Sequence, residues 1–415
     1  MRWIVFTIVL MASVSPGGTA PPDRVCVGDA KQLPARWRPS AELQKNLSPA
    51  AWSQREAEDA RTAVATALAE MVGYFERKPR AVQALWDDSV EALIQVTYAS
   101  ANDPELDRKA RAAARDNLTA LVTPYLDRDP KTATCGEFET LLPLAIFAHR
   151  FYPADDRRID AITKRTNRAF RACGSLAVAT DFDLDEFRAE EDVPSETAAV
   201  PEQAAGPERY DALADLEDLF DLSLWSIWLI EAELYPDIEL PAEAREFGSQ
   251  AWAIFAAYEL EDAREFETGT DHPEFLKIAD LATHIAHIPT GVHRFPLYVA
   301  DAPGLYRFHR ENFYAVMQSG DQDLFASFVD TLRQYGCTPE NDAQVRDGTR
   351  YLLKSFHDNG DRWMRDQQTG ETRGDYELIH RPWTAILGLR ERQPQRPRAG
   401  TYGGIVRRWL PHRAD

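Results

Sequence analysis

Four of the nine histidines in this chain of 415 residues fall within residues 271–296. The stretch reads DHPEFLKIADLATHIAHIPTGVHRFP. Histidine exchanges a proton near neutral pH more readily than other unperturbed side chains, and it is also a common metal ligand. The first hypothesis for this stretch is therefore a site for proton transfer, for a polar ligand or for a metal ion.

A helix through this stretch would be amphipathic, because its apolar side chains fall on one side at about 100° per residue. Asp280, His284 and His287 fall on the opposite side. We therefore expect these side chains to avoid the core and to face water or a cavity. Pro289 should end the helix, and Gly291 should turn the chain.

The turn after this helix extends the candidate site. It would let the next polar residues fold back toward the histidine side of the helix. The resulting ligand-pocket hypothesis uses four residues, His284, His287, His293 and Arg294. The alternative is a solvated polar face without a ligand.

A metal site is the third interpretation of the same helix. Asp280, His284 and His287 offer oxygen and nitrogen donors of the kinds that zinc accepts. Their spacing lacks the i, i+4 histidine pair of the metalloprotease helix, and the sequence marks no fourth ligand. No phosphate loop or glycine-rich dinucleotide fingerprint occurs in the chain, so we expect no cofactor.

A second group of candidate residues lies in the segment YELIHRPW, residues 376–383. If Pro382 is the first residue of a helix, His380 and Arg381 precede a helix N-terminus, whose free N–H groups attract anions. Together with Tyr376 and Trp383 they could hold a carboxylate or stack on a sugar ring. In the alternative interpretation, Trp383 belongs to the core and the others cap the helix.

A third patch is HDNGD, residues 357–361. Here His357 could act as a general base that Asp361 orients. An ordinary polar turn is the competing interpretation.

The elements that must position these residues are helices. No long run shows the period-two alternation of strands, whereas helical periods recur in pairs that short turns separate. This pattern predicts an all-α fold of consecutive antiparallel helical hairpins, either α/α-toroid-like or an irregular helical solenoid. We prefer the toroid, in which the inner helix faces would line a central cavity that holds the site.

The N-terminus has the layout of a secretory signal peptide, in which one arginine precedes an apolar run and then small residues. We expect an exported protein, secreted or periplasmic, and no membrane span. By composition the chain divides into six segments. They are a signal peptide (1–20), an irregular segment (21–48), an N-terminal helical-hairpin region (49–175), an acidic linker or surface loop (176–209), a C-terminal helical region (210–392) and a basic tail (393–415).

Four cysteines in an exported chain suggest two disulfides. Two helices of similar length, joined by a short turn, follow Cys135 and end at Cys173. When they fold back as a hairpin, these two cysteines meet at its open end. We therefore predict a Cys135–Cys173 bond, which leaves Cys26 to pair with Cys337; the alternative is buried free thiols.

The formal charge of −20 excludes a general nucleic-acid binder, because phosphate contacts require a basic face. The basic tail should dock on the acidic body or touch an anionic surface. Helix punctuation is clear in the C-terminal region. Asp301 should cap a helix from Pro303, Gly320 should end it, Asp321 should cap the next helix, and a third should open at Thr338-Pro339.

Two functions fit these features. The first is an exported helical-repeat protein that binds a small molecule, a glycan or a protein and does no chemistry. The alternative is a glycan-active hydrolase or lyase of α/α-toroid type, with a His/Tyr/Arg pocket in its C-terminal half. If His284, His287, Tyr376 and His380 line one concave pocket, the enzyme is favoured; if they are scattered on a convex surface, the binding protein is.

Overall fold

The computed structural model describes residues 25–77, 86–100, 103–182, 216–258, 260–265, 272–364, 375–391 and 402–410. Within these ranges the chain forms fourteen α-helices and no strand, which confirms the all-α prediction. The predicted signal peptide lies outside the described residues, as does the acidic linker from residue 183 onward. The start of that linker is a short helix rather than a loop.

The helices are, in chain order, α1 (Gln54–Arg77), α2 (Trp86–Ala99), α3 (Pro104–Leu126), α4 (Phe138–Phe151), α5 (Arg157–Cys173), α6 (Leu176–Thr180), α7 (Leu216–Ala232), α8 (Ala244–Ala257), α9 (Pro273–Thr290), α10 (Pro303–Ser319), α11 (Gln322–Gln334), α12 (Ala343–Asp358), α13 (Asp375–Leu389) and α14 (Tyr402–Trp409). Most boundaries agree with the helical periods in the sequence to within a few residues. No helix in the described part of the chain has the length and apolar character needed to cross a bilayer.

Packing contacts connect seven helices in a closed circuit, from α1 through α3, α4, α7, α9, α11 and α13 back to α1. Helices α5, α8, α10 and α12 each pack on a member of this circuit. The contact between α1 and α13 joins the first α-helix of the described chain to the last but one. The N-terminal and C-terminal helical regions therefore share one packed body.

Helix α2 is covered on all sides. Every side chain from Ser89 to Thr97 is buried, including those of Glu91 and Gln95. The Gln95 side-chain amide donates to the main-chain carbonyl of Val292, just after α9. Helix α2 thus connects helices α1, α3 and α13 with the turn that follows the histidine helix.

The α4–α5 hairpin forms as predicted, and it brings Cys135 and Cys173 together with 4.6 Å between their Cα atoms. Cys26 and Cys337 form the second bond, which holds the N-terminal segment against the C-terminal region. Both predicted pairings are confirmed, and the described residues contain no free cysteine. Residues 25–50 form only short 3-10 turns, as expected for the irregular segment.

The Cys135–Cys173 bond closes a loop with a sequence separation of 38 residues. A variant with serine at both positions should lose about 2–4 kcal/mol of unfolding free energy, because its unfolded chain regains the freedom of that loop. Urea denaturation of the two proteins measures this difference. Equal midpoints and equal slopes would contradict the expected stabilisation.

The described part of the basic tail lies on the body of the protein. Helix α14 packs on α7, α8 and α9, and the Trp409 side chain is buried there. The ring approaches Gly248 so closely that a Cβ atom at this position would lie 2.4 Å from it. Arg408 forms an ion pair with Glu233 at 2.6 Å, which adds charge complementarity to the apolar contact.

Helix boundaries near the site need two corrections. Helix α10 begins at Pro303, but Ala302 rather than Asp301 is its N-cap residue, and no side chain caps it. Helix α12 begins at Ala343 rather than at Thr338-Pro339, because the Asp342 carboxylate caps the later position. The Asp321 cap is confirmed, since its carboxylate accepts two main-chain N–H groups of the first turn of α11.

Candidate functional site

Helix α9 carries two of the histidines in the opening stretch, His284 and His287, and His272 is its N-cap residue. The helix continues through Pro289 and ends at Gly291, whose φ of 58° is left-handed. Helix α9 packs on α7, α10 and α11, so little of its surface remains for water. His287 is therefore only 5% exposed and faces a cavity, the second of the two expected surroundings, whereas the His284 side chain is 28% exposed.

The turn after α9 folds His293 back into the protein, as predicted. Gly291, Val292 and His293 all have positive φ angles, which is unusual for the two residues that carry a Cβ. Hydrogen bonds hold this turn. The Thr290 carbonyl accepts from the N–H groups of Arg294 and Phe295, and its hydroxyl accepts from the N–H of His293.

Polar contacts fix the orientation of the buried His293 ring. Its Nδ1 lies 2.5 Å from the Asp330 carboxylate and 2.6 Å from the Gln334 amide nitrogen. Arg390 donates to the His293 carbonyl at 2.7 Å and also contacts Gln95 of α2. This network joins the turn to α11, to α2 and to Arg390 just after α13, and it holds one wall of the site in place.

His287 lies against this fixed ring. The centroids of the His287 and His293 rings are 4.1 Å apart, and the His284 ring follows at 5.1 Å from His287. Neither ring nitrogen of His287 has a hydrogen-bond partner among the described residues. Burial lowers its pKa well below the ordinary value, and the neighbouring charges of His293 and His284 act in the same direction. His287 is therefore a neutral imidazole with one donor and one acceptor to offer.

The second group of candidate residues lies inside helix α13 rather than before it. The helix begins at Asp375, and Pro382 is an interior residue. The predicted anion site at a helix N-terminus is thus wrong, because His380 and Arg381 lie in the middle of the helix. The Thr384 hydroxyl lies within hydrogen-bond distance of the carbonyls of both residues.

The side chains of α13 nevertheless form a polar cluster with the start of α11. His380 Nδ1 lies 3.3 Å from the Asp323 carboxylate, which also accepts from the Thr384 hydroxyl. The Tyr376 ring stacks on the His380 ring, with 4.8 Å between their centroids. Trp383 is buried beside them, and its indole N–H has no partner in the described part of the structure.

Helices α9 and α13 face each other across a cavity of about 400 Å³. The cavity is lined by Glu91, Phe220, Leu224, Asp280, Thr283, His284, His287, His293, Asp323, Leu324, Ser327, Tyr376, His380, Trp383, Thr384 and Leu387. We call this space the histidine cavity. It brings together six of the eight predicted ligand-binding residues, and its volume lies within the range of about 300–1,000 Å³ typical of small-ligand sites.

The two predicted arginines do not line the cavity. Arg294 forms an ion pair with the buried carboxylate of Glu231 at 2.8 Å, and Arg150 binds the same carboxylate at 2.9 Å. Burial raises the pKa of Glu231, but the two guanidinium groups outweigh this effect and lower it overall. Arg294 therefore has a structural partner in the interior, while Arg381 lies beside the site but outside its lining.

Sequence reasoning missed two carboxylates of the cavity. Glu91 comes from the buried helix α2, and Asp323 comes from the first turn of α11. The sequence does mark Glu91. In the largely apolar run SVEALIQV, Glu91 and Gln95 are polar residues four positions apart, which places them on the same side of a helix. No feature of the sequence marks Asp323 as a site residue, because acidic residues are common in the first turn of a helix, where the helix dipole favours them.

The predicted metal ligands Asp280, His284 and His287 do not form a compact donor set. Within the described ranges, the group of three donors whose ligand atoms approach within 4.8 Å consists of Cys26, Cys337 and Asp342. Its two cysteines are bonded to each other, so it is not a metal site. His284 Nε2 lies 4.0 Å from the Asp280 carboxylate at the rim of the cavity, where both side chains can contact a ligand.

His357 does contact Asp361, with 2.6 Å between Nδ1 and the carboxylate. Its Nε2 is also occupied, because it lies 2.8 Å from the Asp59 carboxylate of α1. Bonds to Asp361 and Asp59 raise the pKa of His357, so the ring favours the doubly protonated form. An imidazolium bound at both nitrogens cannot accept a proton, and the residue joins α12 to α1 instead.

The raised pKa of His357 makes its contribution to stability depend on pH. The contribution is complete below the ordinary histidine pKa and disappears as the pH rises through the raised value. His357→Gln should therefore cost up to about 1 kcal/mol in weakly acidic buffer and nothing in clearly alkaline buffer, since the side chain is half exposed. Chemical denaturation at both pH values measures this, with Lys354→Gln as a control. An equal cost at both values would contradict the assignment.

The geometry of the histidine cavity is the basis for a functional assignment. Comparison with known proteins finds no match to a family model, to a curated protein sequence or to a solved structure.

Proposed function

We propose that the protein is an exported enzyme that performs acid–base chemistry on a small glycan in the histidine cavity, as a hydrolase or a lyase. One observation carries the proposal. His284, His287, Tyr376 and His380 come from two separate helices and line one concave cavity. The two confirmed disulfides support export, because such bonds persist in oxidising compartments.

His380 is the candidate general base of this site. Its contact with Asp323 orients the ring, and an oriented imidazole accepts a substrate proton efficiently near neutral pH. The hydroxyl of Thr384 holds the other oxygen of the Asp323 carboxylate. His287, neutral and without a partner in the described residues, offers a donor and an acceptor to the substrate.

A sugar fits the remaining lining. The walls combine hydroxyl groups with aromatic rings, which suit the hydroxyls and the apolar ring of a sugar. The hydroxyl groups belong to Thr283, Ser327 and Thr384, and the aromatic rings to Phe220, Tyr376 and Trp383. The closed circuit of helices is also in keeping with the α/α-toroid-like form, for which the sequence analysis expected a central site.

Binding without chemistry is the second candidate function. The specific observation in its favour is that buried polar atoms of His287 and Trp383 have no partner among the described residues. Such fixed groups can recognise a ligand and exclude its competitors without transferring a proton.

A turnover assay with oligosaccharides separates the two functions. The panel should contain neutral, amino and acidic sugars, and mass spectrometry should identify the products. A hydrolase adds water across the cleaved bond, whereas a lyase leaves a product lighter by one water with a new double bond. Turnover of at least one class supports the enzyme. Saturable binding with no product from any class would overturn the enzyme in favour of the binding protein.

A further inference from the structure

Apart from the histidines, the charged side chains that line the histidine cavity have one sign. Its lining contains the carboxylates of Glu91, Asp280 and Asp323 but no lysine or arginine within the residues that the structure describes. Arg294, which the sequence suggested as a ligand-binding residue, instead forms an ion pair with Glu231 in the interior. A ligand in this cavity therefore meets a negative field, which the whole-chain charge of −20 reinforces.

From this arrangement we infer that the substrate carries a protonated amine, as an amino sugar does. The inference rests on the proposed function and deepens it by naming the substrate class. It also selects the hydrolase over the lyase, because an eliminating lyase needs the acidic C–H beside the carboxyl group of a uronate. The anionic group of a uronate or a phosphorylated sugar would lose its hydration on entering the cavity and would face three carboxylates. Burying an anion beside other anions costs free energy. A protonated amine instead gains charge-assisted hydrogen bonds from the same groups.

Two further features of the lining favour a cation. The aromatic rings of Phe220, Tyr376 and Trp383 line the cavity, and the faces of such rings attract ammonium groups. The neutral ring of His287 offers a buried lone pair that an ammonium N–H can reach as a donor. The His287 side chain supports a ligand independently of the carboxylates. It is 5% exposed, and its ring nitrogens lack partners in the described chain.

Calorimetry with three disaccharides of the same size tests the inference. One is built from glucosamine, one from glucose and one from glucuronic acid, and the full-length protein is used. The glucosamine disaccharide should bind at least about tenfold more tightly than the glucose disaccharide, which is the effect of one hydrogen bond to a charged group. The glucuronic acid disaccharide should show no saturable binding. High salt should reduce the preference for the amine.

Variants identify the cavity as the source of that preference. The double variant Asp280→Asn, Asp323→Asn should reduce the preference for the glucosamine disaccharide over the glucose disaccharide by at least about threefold. Each substitution removes a carboxylate that would form a partly exposed ion pair with the amine. Asp160→Asn is the matched control, because Asp160 is an exposed carboxylate on α5 and should leave the preference unchanged. Circular dichroism verifies that each variant is folded. If the double variant misfolds, Asp280→Asn alone, at the half-exposed rim, gives the same test.

The outcomes separate this inference from the proposed function. A preference for the amine without turnover would overturn the enzyme but support the inferred ligand class. Turnover with equal affinities for the three sugars, or with a preference for the acidic one, would overturn the inference alone. Failure of all three disaccharides to bind saturably would overturn it as well.

Discussion

Replacing Glu231 by glutamine should lower the free energy of unfolding by about 3–5 kcal/mol, the usual cost of removing one partner from a buried ion pair. The Glu231 side chain is only 2% exposed, and it lies between the guanidinium groups of Arg150 and Arg294. The substitution keeps the shape but leaves two cations in the interior without their counter-charge. The cost should be especially large because the two arginines also repel each other.

The same ion cluster predicts a dependence on acid. Because the pKa of Glu231 is lowered in the folded state, its stabilising contribution is complete above the ordinary pKa of a glutamate. The contribution decreases as the pH falls through the lowered value. The difference between the wild-type protein and the variant should therefore shrink in strongly acidic buffer.

Urea denaturation at neutral pH and at acidic pH measures both effects. Glu217→Gln is a suitable control, since this residue lies on the same helix but in its exposed first turn. A change below about 1 kcal/mol for Glu231→Gln, within the range of a surface pair, would contradict the assigned burial of the cluster.

Replacing His380 by asparagine should lower kcat/KM by about 10²–10⁴-fold, the usual contribution of a positioned general base. Asparagine retains hydrogen-bonding capacity but cannot accept a proton in this pH range. Asp323→Asn should have a smaller effect and should shift the pH profile, because it removes the carboxylate that orients His380. A loss in kcat with little change in KM would assign the effect to the chemical step.

His272→Asn is the matched control for this prediction. His272 caps α9 through a hydrogen bond to the Glu274 N–H, and asparagine is itself a favourable N-cap residue. Its activity should remain close to that of the wild-type protein. A His380→Asn variant that is folded and turns over substrate at the wild-type rate would remove His380 from the mechanism.

Local signals in the sequence were sufficient for much of the fold. Helical periods and the two-helix hairpin predicted most of the elements and the Cys135–Cys173 bond, because these features depend on neighbouring residues and on simple chain geometry. The Cys26–Cys337 pairing followed by elimination. The histidine-rich stretch was likewise recognised from composition alone. Its inward turn was predicted from Gly291, the residue type that most easily adopts a left-handed conformation.

Features that depend on long-range packing were not predictable in this way. The helical projection described α9 by itself and placed His287 on a polar face, whereas the packing of α7, α10 and α11 around the helix buries that residue. Pro382 was interpreted as a helix start because proline is common in the first turn of a helix, whereas α13, packed on α1 and α11, continues through it. The convergence of Glu91 and Asp323 on the cavity depends on packing between helices far apart in the sequence.

The most direct test of the proposed site is a crystal structure of the protein with the oligosaccharide that it turns over. The sugar should occupy the histidine cavity, with its polar atoms within hydrogen-bond distance of the ring nitrogens of His287 and His380. The reacting bond should lie nearer to His380, the proposed base. A sugar bound on another surface, with the cavity filled only by water, would contradict the assignment of this site.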